Sequence, residues 1–179
     1  MDVPVLETDR LILRAHTADD FEALAALWAD PAVVRHIGGT PSTRTEAWAR
    51  LLRYRGLWPV LGFGYWAVSE KETGRFLGDA GLADFHRVID PSIAGEAEAG
   101  WVFAGHAHGK GFATEAMTAV LAWFDARFPG RDAVCIIAPE NAPSVRLAEK
   151  LCFALQVETV FMGGPTLLMR REAPIPPAP

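Results

Sequence analysis

Apolar and polar positions follow two periods along this chain, one typical of strands and one typical of helices. Short apolar or alternating runs predict seven strands, at residues 10–14, 65–69, 75–85, 96–103, 132–138, 155–161 and 166–171. Apolar residues spaced three and four apart predict four helices, at residues 18–29, 43–55, 112–127 and 141–151. The order β-α-α-β-β-β-α-β-α-β-β predicts the α/β class, with one mixed sheet and helices on both of its faces.

Length and composition favour one folded domain. With 179 residues, 50% of them hydrophobic, the chain is long enough to bury a sizeable core. We expect a single domain over residues 1–172 and a loose proline-rich tail over residues 173–179. No run approaches the roughly 20 apolar residues that span a bilayer, and the first residues lack the features of a signal peptide. These features predict a cytoplasmic protein with no membrane partner.

The charge balance limits the partners that the chain can bind. Its formal net charge is −5 at pH 7 and it has no basic stripe, which argues against nucleic acid. An acidic balance suits a cationic substrate such as an amine, although many unrelated proteins are equally acidic. The two cysteines, Cys135 and Cys152, have apolar sequence neighbours, which predicts buried free thiols rather than a disulfide or a metal clamp.

The strongest chemical signal is a glycine-rich segment directly before a predicted helix. Gly109, Gly111 and Ala113 alternate there, so several backbone N–H groups have no side chain in front of them at the positive end of the helix. This arrangement predicts an anion site. The spacing differs from that of a P-loop, and Thr114 replaces the third glycine of a Rossmann fingerprint. A turn that only caps an ordinary helix is the alternative.

Three sequence blocks, one of them containing the glycine-rich segment, stand in a specific order: Glu98–Trp101, His108–Ala116 and Pro139–Phe153. Together they resemble the GNAT superfamily of acetyl-CoA-dependent N-acetyltransferases. The opening segment Leu6–Arg14 is similar to the branch that contains ribosomal-protein alanine N-acetyltransferases. The resemblance covers most of residues 6–171. It implies acetyl-CoA as co-substrate, no metal, and direct transfer of the acetyl group to an amine without a covalent enzyme intermediate.

The resemblance also implies where coenzyme A lies, between two parallel strands that splay apart. These would be residues 98–103 and 132–138, with the pantetheine amides paired to the open edge of the first strand and the pyrophosphate on the amides of residues 109–113. The family's usual first residue in this loop is Gln or Arg, and here it is His108. The implied coenzyme-binding residues are Trp101, Val102, Phe103, His108, Gly109, Lys110, Gly111, Phe112, Ala113, Thr114, Asn141 and Ser144.

Acetyl transfer to an amine needs a base, a donor to the oxyanion and a proton for the leaving thiolate. Glu98 is the candidate base, because it lies just before the strand segment expected to hold the thioester. Glu96 or a water molecule is the alternative, and either glutamate can instead belong to a solvated strand face. The oxyanion donor would be the backbone N–H of Val102 or Phe103.

Several groups can protonate the leaving thiolate. Many family members use a tyrosine as this acid, but the matching position here is Ala148. The branch named above implies Ser144 as the acid instead. Ser144 can also be a simple helix cap, and solvent can supply the proton. By the same resemblance Asn141 both caps this helix and bonds the pantetheine arm. Cys152 replaces a family glycine at the end of the helix, where positive φ is usual, so this turn is open to rearrangement.

Two other classes of function stay open at this point. His106 and His108 form an H-x-H pair which, with His86, Glu96 and Glu98, would fit a metal hydrolase. Loss of the family tyrosine would also fit a non-catalytic protein that binds acetyl-CoA. For an enzyme, the resemblance implies a protein N-terminal α-amine as acceptor. Polyamines, aminoglycosides and other small amines are the alternatives, and a homodimer is left open.

Overall fold

The computed structural model describes residues 2–175 and contains a sheet of eight strands. The strands are β1 (Leu6–Glu7), β2 (Leu11–Arg14), β3 (Tyr65–Glu70), β4 (Phe76–Ala83), β5 (Ala97–Phe103), β6 (Ala133–Ile137), β7 (Ala154–Phe161) and β8 (Gly164–Arg171). Their spatial order is β1-β2-β3-β4-β5-β6-β8-β7. Neighbouring strands are antiparallel except β5 and β6, which run parallel. The predicted mixed sheet is confirmed.

Helices cover both faces of this sheet, as predicted. They are α1 (Phe21–Ala29), α2 (Pro31–Val34), α3 (Arg44–Leu61), α4 (Phe112–Arg127) and α5 (Ala142–Lys150). Leu24 of α1 and Leu51 of α3 share a core cluster with Val102 of β5. Phe124 of α4 and Leu147 of α5 belong to a larger cluster on the opposite face. The predicted α/β class is therefore confirmed, with α1, α2 and most of α3 on one face and α4 and α5 on the other, while the end of α3 reaches the larger cluster.

Three elements differ from the sequence prediction. The short strand β1 and the short helix α2 were not predicted. Helix α3 runs past its predicted end to Leu61, although it contains Gly56 and Pro59, which are poor helix formers. Trp58 explains the extension, because it is buried in the larger core and its Nε1–H donates to the Tyr65 carbonyl at 3.2 Å. Tertiary packing outweighs local propensity here.

The predictions for the C-terminal tail, for membrane spans and for the two cysteines have different outcomes. The tail expected over residues 173–179 lies largely outside the described residues. Among residues 2–175, none of the helices combines the length and the apolar run needed to cross a bilayer. Cys135 is buried as predicted, but the prediction of a buried thiol at Cys152 is wrong. Cys152 lies at the surface in the turn after α5, where it adopts the left-handed φ of 66° expected of the family glycine.

The parallel pair β5 and β6 separates after a very short contact. Ala97 pairs with Ala133 and Glu98 with Val134, and beyond these residues both strands continue without a shared register. The facing edges therefore keep backbone N–H and C=O groups that no neighbouring strand satisfies. We call the space between them the strand opening. It begins at Glu98 and widens toward the glycine-rich loop.

A buried hydrogen-bonded group fixes the helices of one face to the sheet. His16 Nε2 lies 2.8 Å from Asp79 Oδ1 on β4, and both side chains are fully buried. Trp28 of α1 donates its Nε1–H to the other carboxylate oxygen at 3.2 Å. The Tyr54 ring of α3 packs against His16 at 5.1 Å between centroids. Because a buried carboxylate needs its partners, this group sets the positions of α1 and α3.

We expect Asp79→Ala to destabilise the fold by about 3 kcal/mol, because it leaves His16 and Trp28 without their buried acceptor. For a domain of this size the melting temperature should fall by about 6 to 12 °C. Thermal unfolding followed by circular dichroism measures the change. Glu149→Ala, at an exposed position of α5, is the control and should melt like the wild type. A melting temperature of Asp79→Ala equal to that of the control would contradict the assigned role.

Candidate functional site

The glycine-rich loop joins β5 to α4 and exposes its backbone donors. Gly109 and Gly111 adopt left-handed φ values of 73° and 80°, and Gly111 directly precedes α4. Ala113 and Thr114 lie in the first turn of that helix. Among the described residues, no protein acceptor bonds to the N–H groups of residues 109–114. These donors and the helix dipole can bind the oxygens of a phosphate or diphosphate.

An arginine that the sequence analysis did not single out supports this loop. Arg10 donates from Nη1 to the Lys110 carbonyl at 2.9 Å, and its guanidinium lies 4.5 Å from the centroid of the Phe112 ring. It also pairs with Glu115 of α4 at 2.6 Å. Glu115 in turn accepts a hydrogen bond from the Thr8 hydroxyl. The segment before β2 is therefore joined to the start of α4 beside the loop.

The charge of Glu115 is well stabilised. Burial alone would raise the pKa of this carboxyl, but hydrogen bonds from Thr8 and Arg10 outweigh burial, and the pKa lies below its ordinary value. Glu115 therefore stays ionised at neutral pH and keeps Arg10 in place. The Arg10 side chain remains 48% exposed beside the loop, so its charge is available to an anion bound there.

His108 follows β5 by five residues, and its ring folds back onto the end of that strand. Its Nε2 is 2.8 Å from the Phe103 carbonyl oxygen, and because a carbonyl only accepts, Nε2 must carry the proton. The side chains of Val102, Phe103 and Phe112 are buried, so these three predicted binding residues can reach a ligand only through their backbone. Lys110 is exposed and free to approach an anion on the loop.

One hydrogen bond sets the direction of the backbone groups along β5. The Ala104 N–H donates to the Leu77 carbonyl, on the β4 side of the strand, at 2.9 Å. Successive N–H groups of a strand point to opposite edges. The N–H groups of Trp101 and Phe103 therefore face the strand opening, whereas that of Val102 faces β4. Of the two donors considered for the oxyanion, only that of Phe103 faces the opening.

The start of α5 lies across the opening from β5. Asn141 caps this helix, with its Oδ1 accepting from the Ser144 N–H at 3.3 Å. The Ser144 hydroxyl oxygen accepts a hydrogen bond from Trp101 Nε1–H at 3.3 Å. This bond does not use the hydroxyl proton of Ser144, which can be given to another acceptor. Ala148, where many relatives would carry a tyrosine, is fully buried in the core.

Glu98 lies where β5 and β6 separate, and its side chain is only 7% exposed. Its Oε2 accepts a hydrogen bond from Arg87 Nε–H at 2.5 Å. Burial raises the pKa of Glu98, and the nearby Asp84 raises it further, while Arg87 opposes the rise without cancelling it. A glutamate with a raised pKa is a stronger base than an exposed one, which suits proton removal from an amine.

A tyrosine from β3 meets β5 beside Glu98. The hydroxyl of Tyr65 lies against Gly100, where an added Cβ would be 1.9 Å from the phenol oxygen. The lack of a side chain at Gly100 is therefore what admits the hydroxyl. Burial raises the pKa of Tyr65 well above its ordinary value, and Tyr54 and Glu98 add to the rise. The hydroxyl stays protonated and can act as a hydrogen-bond donor.

The residues of the metal alternative lie apart. Glu96 forms an ion pair with Arg170 of β8 at 2.6 Å. In the part of the chain that the structure describes, no three His, Cys, Asp or Glu side chains come together as a metal-ligand group. The histidines of the H-x-H pair therefore form no ligand cluster with Glu96 or Glu98.

A sequence model of the family described as "Acetyltransferase (GNAT) domain" matches residues 10–154. The chain thus belongs to the GNAT family and is an acetyl-CoA-dependent N-acetyltransferase. The uncharacterized protein YkkB of Bacillus subtilis (strain 168) is 32% identical over 149 residues, which cover 82% of this chain and 83% of that protein. A solved structure from Bordetella pertussis, assigned to the GnaT family of acetyltransferases, is 32% identical, with a TM-score of 0.84, and the match covers 94% of this chain and 99% of that chain.

Two more distant structures share the fold but differ in acceptor. A spermidine N-acetyltransferase from Vibrio cholerae, solved with CoA and spermine, is 18% identical with a TM-score of 0.72 over 93% of this chain and 97% of that one. RimL, a ribosomal L7/L12 α-N-protein acetyltransferase solved with coenzyme A, is 15% identical with a TM-score of 0.77 over 94% and 98%. At this identity the likeness shows the fold alone. The ribosomal-protein branch stays a prediction.

Several residues from distant parts of the chain support the site and could not be named from the sequence patterns. They are Thr8, Arg10, Tyr65, Arg87 and Glu115. One signal was present in the sequence. An acidic residue in the first turn of a helix that should bind an anion requires a compensating cation, and Glu115 has this position. Nothing in the local sequence identifies Arg10 as that cation, because the two residues are 105 positions apart.

We expect Gly111→Val to weaken acetyl-CoA binding by about 10- to 100-fold. A β-branched residue is strained at a φ of 80°, so the loop must change conformation and its N–H groups lose their alignment. Isothermal titration calorimetry with acetyl-CoA measures the affinity. Gly105→Val is the control, because Gly105 has no positive φ and an added Cβ there meets nothing within 4 Å. Equal affinities in the two variants would contradict the role of the loop geometry.

Proposed function

We propose that this protein transfers the acetyl group of acetyl-CoA to a primary amine, with a protein or peptide N-terminal α-amine as the leading acceptor. The observation that carries the proposal is the series of groups that forms a path along the strand opening. It runs from unsatisfied loop donors, past an open strand edge, to the buried carboxylate of Glu98. The similarity of the opening segment to the ribosomal-protein branch supports an α-amine. The predicted compartment is the cytoplasm.

The residues along this path fit the parts of the coenzyme. In our proposal the N–H groups of residues 109–114 hold the diphosphate, with Lys110 and Arg10 nearby as cations. The open edge of β5 pairs with the pantetheine amides, and Asn141 and Ser144 line the other side of the opening. His108 holds the Phe103 carbonyl at the entrance. Acetyl-CoA supplies an activated acetyl thioester.

Glu98 accepts the proton that the acceptor amine must lose. A primary ammonium is not a nucleophile, so a base with a raised pKa promotes the reaction. Glu98 precedes Trp101 by three residues, a strand distance of about 10 Å, so we infer that a water molecule relays the proton. The protonated Tyr65 hydroxyl, which lies against Gly100 between these two residues, can orient that water.

Two groups near Trp101 complete the chemistry. The Trp101 N–H faces the opening, as does that of Phe103, and either can donate to the oxygen that gains negative charge during transfer. Trp101 lies beside Ser144, whose hydroxyl proton is not used in their hydrogen bond. We propose that the Trp101 N–H stabilises the oxyanion and that Ser144 donates a proton to the leaving sulfur.

Replacement of the base tests this mechanism. We expect Glu98→Gln to lower kcat by about 10²- to 10⁴-fold, because the amide cannot accept a proton but still accepts the hydrogen bond from Arg87. The raised pKa of Glu98 predicts that wild-type kcat falls at acidic pH, with its midpoint above the ordinary glutamate value, and that the variant lacks this limb. Steady-state assays of thiol release between pH 5 and 9 measure both.

Glu96→Gln is the matched control for this experiment, because Glu96 pairs with Arg170 and lies outside the proposed path. It should keep near wild-type turnover, and both variants should bind acetyl-CoA with unchanged affinity. Full turnover in Glu98→Gln, or a loss confined to Glu96→Gln, would remove Glu98 as the base.

An acceptor screen tests the proposed reaction itself. Purified protein, acetyl-CoA and a panel of peptides, amino acids and polyamines should give acetylated products that mass spectrometry can locate on an amine. We expect the modified atom in the best acceptor to be an α-amine. Tight acetyl-CoA binding with no acetylated product from any amine would instead identify a non-catalytic binding protein.

A further inference from the structure

Three distant segments meet at the Arg87 side chain that bonds Glu98. We call the resulting cluster of Arg53, Phe85, Arg87 and Phe161 the wall. Arg53 of α3 and Arg87, from the segment between β4 and β5, both lie against the ring of Phe85, at 5.1 and 4.8 Å from its centroid. Arg87 also lies 5.1 Å from the ring centroid of Phe161, on the β7–β8 hairpin. The guanidinium that bonds Glu98 is therefore part of a cluster of guanidinium groups and aromatic rings.

The two arginines of this wall differ in their partners. Arg87 is hydrogen-bonded to Glu98, so its charge is compensated. Arg53 has the aromatic face of Phe85 beside it, but among residues 2–175 no carboxylate forms an ion pair with it. Burial lowers the pKa of Arg53, and the neighbouring charges of Arg50 and Arg87 lower it further. Arg53 is thus an exposed cation that lies against an aromatic ring and, among the described residues, has no anionic partner.

A cation in this state favours an anionic ligand. A guanidinium bonds a carboxylate through two parallel N–H groups, and such charge-assisted pairs are stronger than neutral hydrogen bonds. A polyamine would bring further positive charges close to Arg53 and Arg87, which is unfavourable. The wall therefore favours an anionic ligand, whereas the net charge of −5 of the whole chain would favour a cationic one.

We propose that the acceptor is an amine that also carries a carboxylate, and that Arg53 binds this carboxylate while the amine lies near Glu98. The inference rests on the proposed acetyl transfer to an amine. Glu98 is linked to Arg53 through Arg87 and the Phe85 ring by contacts of 2.5, 4.8 and 5.1 Å, a span that the first two or three residues of an extended peptide can cover. An acidic side chain shortly after a peptide N-terminus fits this span. Arg53 is then a specificity-determining residue.

Matched acceptors test this inference and separate the two sources of a carboxylate. One arm uses peptides of a single sequence, amidated at the C-terminus, with Glu, Gln or Lys at the second or third position. The other arm compares free amino acids with their carboxamides, and spermidine serves as a polycation. We expect the carboxylate member of at least one arm to have a kcat/KM about 10- to 100-fold above that of its neutral partner.

Variants at Arg53 show whether this preference arises from the proposed contact. Arg53→Gln should bring the ratio between carboxylate and neutral acceptors close to one, mainly by raising KM for the carboxylate acceptor. Arg53→Lys should keep an intermediate ratio, because it retains the charge but not the paired N–H groups. Arg55→Gln, on an exposed part of the same helix, should keep the wild-type ratio and activity. Circular dichroism checks that each variant is folded.

The outcomes distinguish this inference from the proposed function. Acetylation of neutral and carboxylate acceptors with equal kcat/KM, a preference for spermidine, or a ratio unchanged in both Arg53 variants would overturn the carboxylate site and leave the N-acetyltransferase proposal intact. Absence of acetylation with every amine, despite acetyl-CoA binding, would overturn both.

Discussion

The separation of β5 from β6 is the constraint on which the rest of the site depends. Two parallel strands in a sheet normally satisfy each other's backbone groups along their whole length. Here the pairing ends at Glu98 and Val134, so the edge of β5 keeps free donors and acceptors in the middle of the molecule. A ligand with amides of its own can take the place of the missing strand partner. The same separation places Glu98, the glycine-rich loop and the start of α5 around one opening.

The fold compensates for this opening on both sides. Antiparallel pairing of β4 with β5 and of β6 with β8 holds each strand separately. On one face the buried group around Asp79 fixes α1 and α3, and on the other Arg10 and Glu115 fix the start of α4. The contact between Trp101 and Ser144 spans the opening itself. The opening is thus a stable feature of the sheet, held by contacts that do not require ligand.

The sequence predicted those parts of the protein that have a local cause. The alternation of apolar residues identified the main strands, and the glycines at 109 and 111 identified the loop, because left-handed φ is a local requirement that glycine meets best. The end of α3 was misplaced, because burial of Trp58 outweighs the poor helix propensity of Gly56 and Pro59. Long-range pairs could not be predicted from one sequence.

In the candidate site too, some features have a local cause and others depend on contacts between distant residues. Glu98 could be named from its place in the strand that the family resemblance implies, but the raised pKa that suits it as a base comes from burial in the folded structure. Arg53 and Arg87 belong to different segments and meet only through the ring of Phe85. The coenzyme could thus be inferred from local motifs and the family resemblance that they carry, whereas the proposed selectivity for the acceptor depends on tertiary contacts.

Hydrogen–deuterium exchange with and without coenzyme A tests the central claim most directly. If the ligand replaces the missing strand partner and binds the loop donors, saturating coenzyme A should slow amide exchange in peptides that cover residues 99–103 and 108–114. Exchange in β2 and β3 should change little, because their hydrogen bonds are already complete. If coenzyme A binds but amide exchange in residues 99–103 and in residues 108–114 is unchanged, the account is contradicted.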